Sequence, residues 1–544
     1  MSARTESRQQ PGFACEECRK KKLRCDRQRP QCGACTNAGV ICQVNDRRLP
    51  RPRKTGTVEA LRGRIKELES HLATLQSSPS TAVAGHDPLL DLEDLECIAP
   101  IIISNSQKSP ADNYAGTADV EITDLMKADL TQIYFERAHP VAPMLNQSRF
   151  MKLAQKPQSH ERQCLQYAMW TLSITFSSQF GNIRDSMYSK TRAMLEDLNC
   201  NGSNMTTCHV EEIQARILLT LYELSKCTYR QAWLSSGHVF RLVQLARFYE
   251  LDKEQSKKGK RSSAEAMQHE EKRRTFWVAF CLDRFLSIGN NTPVTFTEQR
   301  ILTRLPCSDY EFSNGSLTEW PFLFEVMATG NARGFAPLAD CSILMTICER
   351  ALDCKNDASS EASYDDLPME LKFQNDWLNS LLTTRLNSIE LHYRAAPRAG
   401  DPMTIFIHLM ARTANMHVSQ AMGDSLSLET TDSSMSSFPS WNMQDRSVWA
   451  AQEIPRLAQE LEHLGHFRAH TFTALPIYLS AIRLGRYVGR QKVLELSPLQ
   501  TATLHEVESS LRACLEALRK LQAMNMLAAY YLQLFQMENS GLCD

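Results

Sequence analysis

Six of the chain's 18 cysteines fall between positions 15 and 42 in the order C-x2-C-x6-C-x6-C-x2-C-x6-C: Cys15, Cys18, Cys25, Cys32, Cys35 and Cys42. Thiolates at such spacings ligate a soft or borderline divalent metal, and the C-x2-C-x6-C half occurs twice, which implies ligands around a pseudo-two-fold axis. One tetrahedral zinc would leave two thiolates spare, whereas two separate zinc ions need about eight ligand positions. Six thiolates fill those positions when two of them bridge. The repeat makes Cys15 and Cys32, first in each half, the bridging pair. One ion then takes Cys15, Cys18, Cys25 and Cys32, and the other takes Cys15, Cys32, Cys35 and Cys42. Such a cluster has a net charge of about −2, so a cationic surround would stabilise it.

That surround is present. Between Cys18 and Cys25 stand Arg19, Lys20, Lys21, Lys22, Leu23 and Arg24, of which all but Leu23 are cations. An i, i+3 ligand pair such as Cys15 and Cys18 fits a first helical turn, so the basic run is expected to continue as a short helix held against the metals. Aligned cations on a rigid helix suit the major groove of double-stranded DNA, where phosphates supply affinity and Lys or Arg reads guanine O6 and N7.

Other readings of the cysteines fit less well. A disulfide framework needs an oxidising compartment, yet residues 1–12 are polar and lack the apolar stretch of a secretory signal. The doubled symmetric spacing disfavours an iron–sulfur cluster. A zinc module without a DNA role leaves the clustered cations unexplained.

The elements around this module follow from composition. Residues 1–12 read as a disordered N-terminus, 13–45 as the cysteine module and 46–57 as a basic linker. In that linker Arg47, Arg48, Arg51, Arg53 and Lys54 are broken by Pro50 and Pro52, which suits nuclear import with backbone contacts along phosphates, or a solvated spacer. Over residues 58–76, Val58, Leu61, Ile65, Leu68, Leu72 and Leu75 alternate by three and four, the a/d pattern of a short coiled coil. In that register a parallel homodimer brings Arg64 and Glu69 together. The same stripe also fits one face of an amphipathic helix docked on the body.

Residues 77–118 are rich in Ser, Pro, Ala and Asp and read as disordered. Within them, residues 87–96 alternate leucine with acidic side chains, which suits a coactivator-binding segment or a plain linker. From 119 to 544 the apolar spacing is helical, as in Phe373, Trp377, Leu378 and Leu381, or Leu504, Val507, Leu511, Leu515 and Leu518. A serine-rich loop at 424–440 interrupts it. The fold class expected is mainly α: a small metal module, a short coil, then a large all-α body.

Residues 13–45 resemble the fungal zinc binuclear cluster DNA-binding domain in all six ligand spacings and in the R-K-K-K-L-R-C core. The resemblance implies that Lys21 and Lys22 read CGG-type triplets and that Arg19, Lys20 and Arg24 lie near phosphates. Pro30 matches a loop proline of that family. Residues 120–400 resemble, more loosely, the fungal regulatory domain called the middle homology region. The matching segments are Tyr134 to Pro140, Ala232-Trp233 with Gly237 and Leu242 to Leu251, and Glu271 to Trp277 continuing to Leu282-Asp283-Arg284 and Ser287. Where many relatives have Gly-Arg-Pro, this chain has Asn291-Thr292-Pro293.

Trp233 and Trp277 are expected to be core anchors, and Asp283 with Arg284 a surface or partly buried ion pair. A ligand pocket lined by these residues is the competing use.

The overall charge of −1 hides an asymmetry: residues 1–80 hold 17 Lys and Arg against 8 Asp and Glu, so the remainder is acidic. The other twelve cysteines lack ligand spacing and read as reduced and mostly buried, for instance Cys164, Cys281 and Cys514. The 14 histidines, including His139, His408 and His417, form no zinc-hydrolase pattern, and no nucleophile motif occurs. No apolar run approaches the roughly 20 residues of a membrane span, so a soluble intracellular protein is expected. The reading is a nuclear regulator of RNA polymerase II genes that binds DNA with two zinc ions per chain, and not an enzyme. Its expected partners are DNA, a second copy, and coactivators or other transcription machinery. Family members of this build often control secondary-metabolite gene clusters. The alternative is a helical ligand-sensing or scaffold protein whose zinc module contacts other proteins.

Overall fold

A computed structural model of the chain describes residues 15–42 except 27 and 29, together with 122–201, 208–253, 262–330, 333–357, 369–394, 402–422, 443–464, 469–491 and 498–538. Segments 1–12, 46–57, 58–76 and 77–118, and the serine-rich 424–440, lie outside the described residues. The chain divides into two units, Met1–Lys108 and Ser109–Asp544. In the first, two five-residue helices, α1 (Glu16–Lys20) and α2 (Gly33–Asn37), each begin one residue after a cysteine.

The second unit is built from helices; among its described residues the one extended pairing is an antiparallel bridge between Arg304 and Phe322. Helix α3 (Asp124–Ile133) starts where the Thr123 hydroxyl accepts the Met126 N–H at 3.3 Å, and it runs on into a π-helical turn at Tyr134–Ala138. After α4 (Gln147–Ala154), α5 (His160–Ile174) packs along α7 (Val210–Lys226), flanked by α6 (Arg184–Asn201) and α8 (Tyr229–Leu245). Helix α9 (Ser263–Asn290) opens on a capping box: the Ser262 hydroxyl accepts from Glu265 N–H, and the Glu265 carboxylate accepts from Ser262 N–H.

Short helices α10 (Asp309–Asn314) and α11 (Leu323–Thr329) follow. A second layer is made by α12 (Pro337–Asp357), α13 (Met369–Arg394), α14 (Pro402–Ala421) and α15 (Met443–Leu464), with α14 packed against the other three. Helices α16 (Ala474–Gln491), α17 (Pro498–Gln522) and α18 (Met526–Glu538) complete it. No helix of the described residues is long and apolar enough to cross a membrane.

The expected helical stripes fall on α13 and α17: Leu378, Leu381, Val507 and Leu518 are buried, while Phe373 at the start of α13 is 73% exposed. Cys164, Cys281 and Cys514 are buried among apolar side chains. Trp277 is a core anchor, fully buried, with its indole N–H donating to Arg304 O at 2.7 Å. Trp233 is not: on α8 it is 38% exposed, its ring 6.1 Å from Tyr229. Its helix does face the core, through Ala232, Ser236, Val239 and Val243, but residue 233 lies off that stripe.

The Asp283-Arg284 pair also differs from expectation, because both side chains are buried. Arg284 stacks over Phe280 at 3.3 Å, lies 2.8 Å from Glu349 of α12 and donates to Phe296 O at 3.0 Å. Asp283 accepts the N–H groups of Thr295 and Phe296, at 2.9 Å each for the nearer contacts. The pair therefore pins the chain leaving α9 back onto that helix. Burial of two charges is compatible with folding because each finds partners. At the departure from Gly-Arg-Pro, Asn291 takes the left-handed position that ends α9, with φ 51°. Asparagine tolerates that conformation, so the turn does not require glycine.

Candidate metal centre and nucleic-acid interface

Cys15 and Cys32 occupy equivalent places, each preceding the first residue of a five-residue helix. The backbone N–H of Cys18 donates to Cys15 Sγ at 3.4 Å. Cys15 Sγ lies 3.6 Å from Cys32 Sγ and 3.5 Å from Cys35 Sγ, and Cys18 Sγ lies 3.6 Å from Cys32 Sγ. All four of these sulfurs are within 4.8 Å of one another. Cys25 and Asp26 place ligand atoms within 4.8 Å of the Cys32 sulfur, and Cys42 packs, partly buried, against the cluster of cysteines. The first cysteine of each half therefore meets ligands from both halves.

These separations fit metal and not disulfides. A disulfide draws sulfurs to about 2.05 Å, whereas a tetrahedral zinc with Zn–S bonds of about 2.3 Å holds sulfur pairs about 3.8 Å apart. The N–H of Cys18 holds Cys15 below the usual thiol range, and the N–H of Cys35 does the same for Cys32. Cys18 is pushed up to about 12, first by hydrogen bonding to Cys15 and then by burial; burial and then Cys32 push Cys35 up. A divalent cation among them would favour the thiolate form of all.

The basic run sits on the surface of this module. The expected continuation of α1 through it does not occur, since the helix stops at Lys20. Lys21 and Lys22 form a turn in which Lys22 is left-handed (φ 53°), and Leu23 N–H closes back on Cys18 O at 2.9 Å. This is a Schellman-type end with lysine where glycine is usual. The six-residue span to Cys25 forces it, because a continuing helix would carry the chain away from the cluster. Arg19 lies in the last turn of α1. Lys20, Lys21, Lys22 and Arg24 are exposed, and Leu23 between them is 56% exposed. The Lys20 ammonium lies 3.4 Å from the Glu17 carboxylate. The basic run thus spans a helix end and the turn after it rather than one face of a continuous helix.

One polar contact was not legible in the sequence. The Asp26 carboxylate accepts the Gly33 N–H through both oxygens, at 2.9 and 3.1 Å. Nothing about an aspartate beside a cysteine announces a partner seven residues away.

Two family profiles match the chain: the Fungal Zn(2)-Cys(6) binuclear cluster domain over residues 13–52, and the Fungal specific transcription factor domain over residues 131–337. The chain is 35% identical over 507 residues to the citrinin biosynthesis transcriptional activator of Monascus purpureus, covering 88% of this chain and 86% of that protein. It is 33% identical to the pigment biosynthesis transcriptional activator of Monascus ruber, over 98% of this chain and 95% of the relative. An azaphilone cluster-specific transcription factor of Aspergillus niger is 33% identical over 85% and 96% of the two chains. No solved structure matches.

Proposed function

Because the chain belongs to the fungal transcription factors that join a Zn(2)-Cys(6) binuclear cluster domain to a fungal specific transcription factor domain, we propose that it controls a secondary-metabolite gene cluster by zinc-dependent, sequence-specific binding to double-stranded DNA. A transcription factor of this family is not an enzyme, and it binds zinc and DNA through its cysteine module. The relatives named for citrinin, pigment and azaphilone production support the pathway class.

The observation that carries the reading is the gathering of the Cys15, Cys18, Cys32 and Cys35 sulfurs within 4.8 Å of one another, with Cys25 beside Cys32, next to an exposed run of cations. Cys15, Cys18, Cys25 and Cys32 would hold one ion, and Cys15, Cys32, Cys35 and Cys42 the other. Two bound zinc ions would lock the two short helices together and neutralise most of the thiolate charge. Lys21 and Lys22, at the end of α1, then read a CGG-type triplet in the major groove, while Arg19, Lys20 and Arg24 contact phosphates. A homodimer joined through Val58, Leu61, Ile65, Leu68, Leu72 and Leu75 would present two such modules to two triplets. The site of action is the nucleus, on genes transcribed by RNA polymerase II.

The test uses full-length protein with Lys21→Ala and Lys22→Ala combined, titrated against a duplex carrying CGG triplets and against a scrambled duplex. The proposal expects preference for the triplets to vanish while zinc content stays unchanged. Unaltered preference in the double variant, or none in the native chain, contradicts it.

A further inference from the structure

Asp26 and Gly33 are matched in a way that the ligand spacing does not require. Gly33 follows Cys32, whose sulfur lies 3.6 Å from those of Cys15 and Cys18, and opens α2. Its N–H is taken by both oxygens of Asp26, at 2.9 and 3.1 Å, and Gln28 N–H lies 3.4 Å from Asp26 Oδ1. A Cβ on residue 33 would stand 2.6 Å from Asp26 Oδ2. Gly33 has no left-handed backbone to accommodate, unlike Gly39; what glycine permits there is the approach of the carboxylate, which a side chain would displace from this contact. The equivalent residue after Cys15 is Glu16, which shows that the first position of such a helix does not otherwise need glycine.

A carboxylate beside a cluster of thiolates is electrostatically unfavourable unless something orients and satisfies it. Two backbone donors do so here. Asp26 follows Cys25 in the first half and grips the residue after Cys32 in the second, so it ties together the last ligand of one half and the shared ligand of the other.

We infer that Asp26 is a positioning residue for the metal centre: by holding Gly33 N–H it fixes the direction of the Cys32 sulfur, which both ions need, without itself ligating a metal. This rests on the two-zinc reading above. Outer contacts of this kind typically change metal affinity by about ten- to a hundredfold.

The experiment measures zinc content and the rate of zinc transfer to a competing chelator, on full-length native protein and on Asp26→Ala, Asp26→Asn, Gly33→Ala and the Asp26→Ala, Gly33→Ala double variant. Cobalt-loaded samples supply the thiolate-to-metal absorption. Asp26→Ala and Gly33→Ala should each release zinc about tenfold faster or more. Asp26→Asn, which keeps an acceptor oxygen, should stay close to native. The double variant should be no worse than Asp26→Ala alone, since the clash disappears with the carboxylate. Native release rates in Asp26→Ala, or additive losses in the double variant, overturn the inference. So does an Asp26→Asn protein that loses metal and shows an altered cobalt spectrum, which would make the carboxylate a ligand. A native protein with other than two zinc ions overturns the two-zinc reading instead, and the native arm separates the two failures.

Discussion

Lys22 and Gly39 hold the same place in the two halves of the cysteine module. Each lies four residues after the second cysteine of its half, each is left-handed, with φ of 53° and 65°, and each is followed by an N–H that closes back on that cysteine. Leu23 N–H meets Cys18 O at 2.9 Å, and Val40 N–H meets Cys35 O at 3.1 Å. The second half uses glycine, which adopts this conformation freely; the first half uses lysine at a backbone cost of about 1 kcal/mol. Strain kept at one of two equivalent turns points to a use for the side chain.

Lys22→Gly is therefore expected to leave zinc retention equal to or better than native while weakening binding to a CGG-type duplex by about tenfold or more. Chelator challenge and duplex titration on the same preparation check both halves of this expectation. Equal loss of zinc and DNA binding would mean that the lysine is structural.

Arg24→Ala is expected to behave differently, as a phosphate contact should. Binding to specific and scrambled duplexes should fall by similar factors, and the slope of log affinity against log salt should drop by about one. Titrations at several salt concentrations measure it.

In the helical body, Arg284 sits between Phe280, Glu349 and Phe296 O with no exposed surface. Arg284→Ala leaves Glu349 without its cation and opens a cavity, and it should lower stability by about 3–5 kcal/mol. Denaturant unfolding followed by circular dichroism reads the change. Trp233→Ala, at a half-exposed position, should cost much less in the same assay.

Asp252 supplies a pH dependence. Burial alone would raise its carboxyl, but contacts from His269 at 2.8 Å, from Arg273 at 2.9 Å and from the Arg304 N–H hold it below the ordinary 3.8. The unfolded chain then takes up the proton first. The stabilisation is complete above about pH 5 and is lost as pH falls through 3.8 toward the folded value. The stability gap between native protein and Asp252→Asn should accordingly narrow between pH 6 and about pH 3. A constant gap would refute the linkage.

The metal centre was legible because ligand identity and spacing are local properties: the sulfurs of Cys15, Cys18, Cys32 and Cys35 lie within 4.8 Å of one another, and that of Cys25 lies as near to Cys32. What spacing could not supply was the end of α1. No glycine or proline marks the stop after Lys20, and the turn is imposed by the need to return Cys25 to the cluster. Helical periodicity likewise identified the body as α, yet it misjudged Trp233, because a stripe says which face is apolar and not where its neighbours end. The burial of Arg284 was hidden for a related reason: its anion, Glu349, lies 65 residues further along the chain, and only the packing of α9 on α12 joins them.

The number of zinc ions bound per chain, determined on purified full-length protein together with its iron content, tests the central claim most directly. Two zinc ions and no iron are expected, with preference for a triplet-bearing duplex disappearing on chelation and returning when zinc is restored. A single ion, bound iron, or cysteines paired as disulfides would contradict the account.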